Sequence, residues 1–93
     1  MNQANKKKLE SLVERLAKEF NFKVVSLNIL TNNNPAILKI ILQRLDEKDI
    51  TIEDCSQFIG PVDNLIESSN LLNFSYVLEI SSQGVSDELT SNR

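Results

Sequence analysis

Residues 22–45 read FKVVSLNILTNNNPAILKIILQRL, and this stretch determines how the rest of the chain can be arranged. In residues 22–30, apolar side chains alternate with Ser26 and Asn28, which is the period-two pattern of a β-strand with one buried face. The pattern therefore predicts a first strand. The residues expected on its buried face are Val25, Leu27 and Ile29.

The same stretch predicts a second strand that pairs with the first. Residues 31–35, Thr-Asn-Asn-Asn-Pro, form a turn cluster, because Asn tolerates a positive φ and Pro35 has no N–H to donate to a sheet. Residues 36–45 are again mostly apolar. Their polar interruptions are Lys39, Gln43 and Arg44. Two strands joined by so short a turn are expected to form an antiparallel hairpin.

Upstream of the hairpin, residues 6–20 predict an amphipathic helix. Apolar side chains recur at the i, i+3, i+4, i+7 spacing that places them on one face of a helix. They are Leu9, Leu12, Val13, Leu16, Ala17 and Phe20. Asn5 is expected to cap the start of this helix, and Asn21 is expected to end it in the left-handed conformation.

Downstream of the hairpin, residues 51–54 read Thr-Ile-Glu-Asp, the pattern of a capping box with Asp54 in place of the usual Glu or Gln. Thr51 would accept a hydrogen bond from the amide of residue 54, and two acids in the first turn suit the helix dipole. A second helix is therefore predicted to begin at Ile52 and to end near Glu67.

The second helix is expected to bury one stripe and to be interrupted in its middle. The predicted inward residues are Ile52, Cys55, Phe58 or Ile59, Val62, Leu65 and Ile66. Gly60 and Pro61 break this pattern, and a Pro inside a helix costs about 3 kcal/mol. We therefore expect either a kink at Ile59 or two short helices.

Residues 74–80 alternate again and predict a third strand, whereas residues 85–93 are mostly polar and are expected to be irregular. The element order is thus α-β-β-α-β. The simplest burial is a two-layer α+β fold, with both helices packed on one face of a three-stranded mixed sheet. A right-handed crossover makes the third strand parallel to the second, while the strand order stays open. We expect one domain over residues 1–93, with an ordered core at about 6–82.

Composition narrows the functional classes. The 93 residues include no His and a single Cys. The commonest general base and the commonest metal ligand are therefore missing, and one Cys forbids an internal disulfide and suggests a reducing cytoplasm. No apolar run reaches the ~20 residues of a membrane span. Composition therefore disfavours most enzyme classes, and we expect no cofactor, no metal, no membrane and no small-molecule substrate.

Charge is segregated along the chain, although the net charge is only −3. Residues 1–45 carry eight cations against three carboxylates, whereas residues 46–93 carry two cations against ten carboxylates. The basic part can approach phosphate groups, and the acidic part would avoid them or meet a basic protein. A solvated surface with chance clustering of charge explains the pattern about equally well.

Individual residues offer little chemistry. Cys55 lies on the inward stripe and is expected to be a small core residue rather than a nucleophile. The acids of residues 46–54 lack the alternating ligands and the glycine of a calcium loop. Residues 81–84, Ser-Ser-Gln-Gly, follow the third strand and could form an anion-binding nest, or Gly84 could simply turn the chain out of the sheet.

Two motifs resemble the N-terminal domain of the RimP family of ribosome maturation factors. Residues 50–55, Ile-Thr-Ile-Glu-Asp-Cys, are similar to the family's Gly-Ile-Thr-Leu-Asp-Asp-Cys. Residues 76–84, Tyr-Val-Leu-Glu-Ile-Ser-Ser-Gln-Gly, are similar to its Tyr-x-Leu-Glu-Val-Ser-Ser-Pro-Gly. Residues 38–42 and 19–25 resemble the family's Leu-Arg-Val-Tyr-Ile and Ala-Leu-Gly-Tyr-Glu-Leu-Val. The chain departs from the family pattern at residues 60–61 and at residues 83 and 86–88.

The resemblance implies a non-enzymatic assembly factor that binds the immature small ribosomal subunit through rRNA, a ribosomal protein or both. It also implies a second, SH3-like domain near the end of this chain, so we expect the chain to be the first domain alone. The candidate interface residues are Ser81, Ser82, Gly84, Lys6, Lys7, Lys8, Lys39 and Arg44. The alternative is a homodimeric interaction or ligand-sensing domain that pairs through its open sheet face, with Ile41 and Val77 at the interface.

Overall fold

A computed structural model describes residues 3–72, 74–82 and 88–92 of the chain. Within these residues there are two helices and four strands. In chain order they are α1 (Gln3–Glu19), β1 (Phe22–Leu30), β2 (Ala36–Arg44), α2 (Ile52–Ser69), β3 (Tyr76–Ser82) and β4 (Glu88–Asn92). The strands form one sheet in the order β1-β2-β3-β4, in which β2 and β3 are parallel and the other pairs are antiparallel.

The predicted α+β class is confirmed, with both helices on one face of a mixed sheet and β3 parallel to β2. One strand was not predicted. Residues 88–92 lie in the segment expected to be irregular, yet they pair with β3 along its outer edge. Their polar sequence does not have the alternation of a half-buried strand, and pairing with β3 supplies the hydrogen bonds that define β4.

The core lies between the two helices and one face of the sheet. In β2 the side chains from Ala36 to Leu42 are buried at every second position, as expected for a central strand that is covered on one side. Each helix adds one buried stripe to this layer. The largest fully buried side chains are Leu9, Val13, Leu38, Ile40, Leu42, Phe58, Val62, Ile66, Leu78 and Ile80.

Aromatic rings close the core beside the start of β1. The ring of Phe58 meets Phe20 at a centroid distance of 5.3 Å and Phe22 at 5.7 Å, both in edge-to-face geometry. Such pairs contribute about 0.5–1.5 kcal/mol beyond their buried area. The choice left open between Phe58 and Ile59 is therefore decided: Phe58 is fully buried and Ile59 only partly so.

A β-bulge at Val25 corrects the predicted buried face of β1. Val24 pairs with Leu42 and Ser26 with Ile41, so Val25 is an extra residue without its own partner in β2. The bulge leaves Val25 37% exposed, whereas Leu27 keeps its predicted place in the core. The prediction assumed that buried and exposed side chains alternate along a regular strand. The adjacent Val24 and Val25 do not indicate in the sequence that one of them is an extra residue.

Helix α2 begins as predicted and continues further than predicted. Its φ/ψ values and hydrogen bonds make Thr51 the N-cap of a complete capping box. The helix runs unbroken to Ser69, so the prediction of two short helices is wrong. The side chain of the residue before a Pro normally crowds the proline ring, but Gly60 has no side chain. Val62, which follows Pro61, is buried in the core. Packing of this kind offsets the cost of Pro61.

The ends of the helices bring two further corrections and one confirmation. Helix α1 starts at Gln3, so Asn5 lies inside it and is not its cap. Ile52, the first residue of α2, is 59% exposed rather than part of the inward stripe, because it precedes the turn that contacts the sheet. Asn21, with a φ of 65°, does adopt the predicted left-handed conformation after α1.

Candidate interface at the two ends of the sheet

The topology collects the chain's charged segments at opposite ends of the sheet. Because β2 and β3 are parallel, the carboxyl ends of both strands lie at the same end of the sheet, next to the start of α2. We call residues 44–54 together with Ser82 the acidic end. The opposite end of the sheet contains the hairpin turn, the start of β3 and the first lysines of α1. Lys6 and Thr31 line one cavity there, and Phe74 and Thr31 line another. We call residues 6–8, 31–36 and 74–75 the lysine end.

At the acidic end, Arg44 connects the last residue of β2 to the next loop and to helix α2. Its Nε and Nη2 donate to the two carboxylate oxygens of Asp46 at 3.0 and 2.8 Å, and its Nη1 donates to Oδ2 of Asp54 at 3.2 Å. Bidentate pairing of this kind fixes the geometry of both partners. The same Asp54 oxygen accepts the amide of Thr51 at 3.0 Å, while Oγ1 of Thr51 accepts the amide of Asp54 at 3.0 Å. The network therefore joins the strand to the helix cap.

These hydrogen bonds shift the pKa values of both carboxyl groups in the same direction. The side-chain hydrogen bond from Arg44, followed by that from the amide of Lys48, lowers the pKa of Asp46. The hydrogen bond from the backbone amide of Thr51 has the largest effect on the pKa of Asp54 and lowers it. Burial opposes this as the second-largest effect, and the Thr51 side chain and Arg44 lower the pKa further. Both groups are therefore held ionised, and the acidic end keeps its negative charge at neutral pH.

Arg44 was predicted as an interface residue, and its position bears on that role. A phosphate group would have to compete with two carboxylates that already bind the guanidinium. Residues 44–54 carry five carboxylates against Arg44 and Lys48, so the local charge is −3. A role of Arg44 in binding stays a prediction, and its surroundings suit a cationic partner better than a phosphate.

The predicted serines lie at the end of β3 rather than in a loop after it. Ser81 is only 5% exposed and lies in register between Ile41 of β2 and Glu88 of β4. Ser82 lines a small cavity of about 110 Å³ together with Glu47, Asp49 and Lys48, so carboxylates outnumber the cation there by two to one. Anions are disfavoured beside those carboxylates. Gly84, the third member of the predicted nest, lies outside the described residues.

At the lysine end, Lys6, Lys7 and Lys8 occupy the second turn of α1, and Lys7 and Lys8 are exposed. The first turn of this helix has no acidic residue, and cations near a helix N-terminus are unfavourable for the helix dipole. Nζ of Lys6 lies 3.9 Å from Oε1 of Glu10, and both side chains are more than one-third exposed. Such a surface pair contributes little and exchanges readily.

Lys39 lies apart from both ends, in the middle of the open sheet face. It is paired in register with Asn28 on β1 and with Glu79 on β3. Lys39 and Glu79 separate Ile41 from Val77, so these two residues do not form one apolar patch. A homodimer through this face stays a prediction, and mixed charges in its centre do not favour it.

The two ends are electrically independent. The nine residues of β2 separate them by about 26 Å at 3.3 Å per residue. This distance is about three Debye lengths at physiological salt, where screening acts over roughly 8 Å. The lysine end can therefore attract an anionic partner although the whole chain has a net charge of −3.

Sequence reasoning missed two polar features. Asp63 of α2 is buried and accepts a hydrogen bond of 2.7 Å from the hydroxyl of Tyr76, which joins α2 to the start of β3. The second is a cavity at the hairpin turn, between residues 31–36 and 74–75. Neither could be found without the strand order, because each brings together residues far apart in the sequence.

The structure bears on metal binding and on membrane spans only within the residues that it describes. In that part of the chain, no group of three His, Cys, Asp or Glu side chains is placed to hold a metal ion. No helix found there has the length and apolar character to cross a membrane. Cys55 is buried, and burial, followed by the charge of Asp54, raises the pKa of its thiol, in agreement with its predicted place in the core.

The fold and the charge distribution define a small two-layer α+β domain with one basic and one acidic end. Comparison with known proteins gives its family. Residues 12–86 match the family model described as the RimP N-terminal domain, and the chain belongs to the RimP family.

The relatives agree with this assignment. Proteins named ribosome maturation factor RimP are 64% identical in Prochlorococcus marinus strain MIT 9515 and 61% identical in strain CCMP1986, over all 93 residues in each case. One from Synechococcus sp. strain WH7803 is 40% identical over 72 residues, which are 77% of this chain and 46% of that protein. The chain spans 60% of the length of the two Prochlorococcus relatives.

Proposed function

We propose that this chain acts in the maturation of the small ribosomal subunit, as a non-enzymatic cytoplasmic assembly factor. The observation that carries the proposal is the match over the whole chain to proteins named ribosome maturation factor, at up to 64% identity. The expected partners are the immature small subunit, its rRNA and a ribosomal protein.

The separation of charge supports a division of labour between rRNA and protein. The lysine end offers exposed cations for the phosphate backbone, whereas the acidic end repels it. Ribosomal proteins that bind rRNA are generally rich in Lys and Arg, and an acidic surface complements such a partner. We therefore assign rRNA contact to Lys6, Lys7 and Lys8, and protein contact to the surface around Ser82. The other candidates, Ser81, Gly84, Lys39 and Arg44, remain secondary members of this proposed interface.

Affinity from the lysine end alone should be modest and sensitive to salt. Three or four phosphate contacts give a slope of log affinity against log salt of about −0.7 to −0.9 for each contact. A second linked module can add a gain of 10² to 10⁴ through effective concentration. We therefore expect weak binding by this chain alone, and stronger binding by a chimaera that adds the unmatched part of the 64% identical relative.

Co-sedimentation with small-subunit precursors tests the proposal. The chain and the chimaera are each mixed with precursors at rising salt, and the bound fraction is measured. Lys7→Gln/Lys8→Gln should weaken binding and reduce the salt slope by about the value of two contacts. Lys18→Gln/Lys23→Gln is the matched control, because it removes the same charge from exposed positions near the other end of α1. Salt-independent nanomolar binding, or equal losses for both pairs, would contradict the assignment to the lysine end.

A separate variant tests the acidic end. Glu47→Gln/Asp49→Asn removes two exposed carboxylates and leaves the hydrogen bonds of Arg44 intact. We expect crosslinking of the chimaera to a basic ribosomal protein to fall, while its binding to naked precursor rRNA stays the same or rises. Unchanged crosslinking would show that the protein partner binds elsewhere.

A further inference from the structure

The cavity at the hairpin turn has a composition that phosphate attraction alone does not explain. It has a volume of about 410 Å³ and is lined by Thr31, Asn33, Asn34, Ala36, Phe74 and Ser75. An aromatic ring, two amide side chains and two hydroxyl groups thus share one opening. This volume falls in the range of small-ligand pockets, which combine apolar surface with a few polar groups.

Phe74 lies at the edge of the core and in the wall of this cavity at the same time. It packs against the buried residues and is only half-buried, so part of its surface remains at the opening. Asn33 and Asn34 also line the cavity and are exposed in the turn. An Asn side chain can both donate and accept hydrogen bonds, as the edge of a nucleobase requires.

A second cavity lies next to the first. It has a volume of about 200 Å³ and is lined by Lys6, Asn28, Ile29, Leu30 and Thr31, so Thr31 borders both cavities. Lys6 is one of the residues that line this second cavity, and Lys7 and Lys8 follow it on α1. Its Nζ also lies 3.9 Å from Oε1 of Glu10, in an exposed pair that exchanges readily. Among the described residues, no carboxylate lines either cavity, whereas the cavity at the acidic end is lined by two.

We propose that the lysine end binds an unpaired nucleotide of single-stranded RNA. The base occupies the larger cavity against Phe74, with its edge bound by the amides of Asn33 and Asn34. The adjoining phosphate lies on the side of Lys6. Stacking on an aromatic ring next to a cationic groove is the general means by which single-stranded RNA is held, and duplex RNA cannot present its bases in this way. The inference rests on the proposed function and assigns the rRNA contact to a defined site.

Fluorescence anisotropy with a labelled oligoriboadenylate tests this site. Phe74→Ala should weaken binding about tenfold without changing the salt slope, because it removes stacking and no phosphate contact. Phe74→Tyr should restore affinity. Lys6→Gln should lower both the affinity and the slope. Ile52→Ala at the acidic end, which also trims a large exposed apolar side chain, should change nothing.

The comparison with an RNA duplex of the same sequence separates base binding from backbone binding. The site predicts tighter binding of the single strand, and this preference should disappear in Phe74→Ala. Equal binding of both forms, or full affinity of Phe74→Ala, would overturn the proposal and leave phosphate attraction alone. If Phe74→Ala fails to fold in a urea titration, Asn33→Ala/Asn34→Ala in the exposed turn decides the question by the same criteria.

The oligonucleotide experiment and the co-sedimentation experiment can fail independently of each other. If the chimaera binds precursors and Phe74→Ala has no effect on the oligonucleotide, the site is wrong and the maturation function stands. If the oligonucleotide binds as described and precursors do not, the site stands and the proposed function is wrong.

Discussion

The acidic end and the lysine end use charge in opposite ways. At the acidic end, Arg44, Asp46 and Asp54 are bound to one another and to the cap of α2. At the lysine end, Lys7 and Lys8 extend into solvent from a helix whose dipole they do not favour. The first arrangement joins parts of the fold to one another, whereas the second makes no such connection and leaves two cations accessible to solvent. Substitutions at the two ends should therefore separate stability from binding.

The aromatic cluster beneath the acidic end should give the largest loss of stability. Phe58→Ala removes a fully buried ring that contacts Phe20 and Phe22, and the free energy of unfolding should fall by about 3–5 kcal/mol. Leu30→Ala at the lysine end, where the side chain is 42% exposed, should cost less than about 1 kcal/mol. Urea unfolding measures both. Similar losses would mean that the two ends are equally important to the core.

The helix cap at the acidic end should have the next largest effect. Thr51→Ala removes the hydroxyl that accepts the amide of Asp54 and should cost about 1 kcal/mol in urea unfolding. Thr51→Ser keeps an acceptor and should be nearly neutral. If both variants lose the same free energy, the methyl group of Thr51 rather than its hydroxyl stabilises the start of α2.

Lowering the pH should remove the stability that the acidic end contributes and leave that of the lysine end unchanged. The folded pKa values of Asp46 and Asp54 are below the ordinary value near 4, so their contribution is complete above that pH. It is lost as the pH falls through the lowered folded values. Asp46→Asn/Asp54→Asn should therefore be less stable than the parent at pH 7, and the difference should shrink as the pH falls below about 4. A constant difference over this range in urea titrations would show that the two carboxylates are not linked to folding.

The lysines should have the smallest effect on stability. Lys7→Gln/Lys8→Gln is expected to change the free energy of unfolding by no more than about 0.5 kcal/mol, because both side chains are exposed. At low salt the change should be towards greater stability, since cations leave the start of α1. Thermal unfolding at two salt concentrations measures it. A marked loss would place these lysines among the residues that hold the fold together.

Local patterns predicted much of the fold. The capping box at Thr51 depends on residues three apart, and the hairpin depends on a short turn, so both could be derived from neighbouring side chains. The predictions failed where distant segments decide the outcome. The pairing of β4 requires the free edge of β3, and the bulge at Val25 depends on how β1 meets β2. Neither leaves a signal in its own segment.

The candidate site follows the same rule. The basic character of residues 6–8 and the acidic character of residues 46–54 can be counted directly from the sequence. That Arg44 binds two of those carboxylates could not be known, because its side chain reaches α2 only when β2 ends beside the helix. The cavity that the hairpin turn and Phe74 line together likewise requires β3 to lie next to β2.

The bulge at Val25 also affects how the chain meets other copies of itself. Strand β1 is at one edge of the sheet, and no other strand of the described residues pairs with its outer side. An irregular residue in the middle of such a strand increases its twist and interrupts the even spacing that an incoming strand would need. Exposed Lys23 on the same strand adds charge repulsion between copies. The extra residue therefore makes this edge a poorer template for strand addition than a regular strand would be.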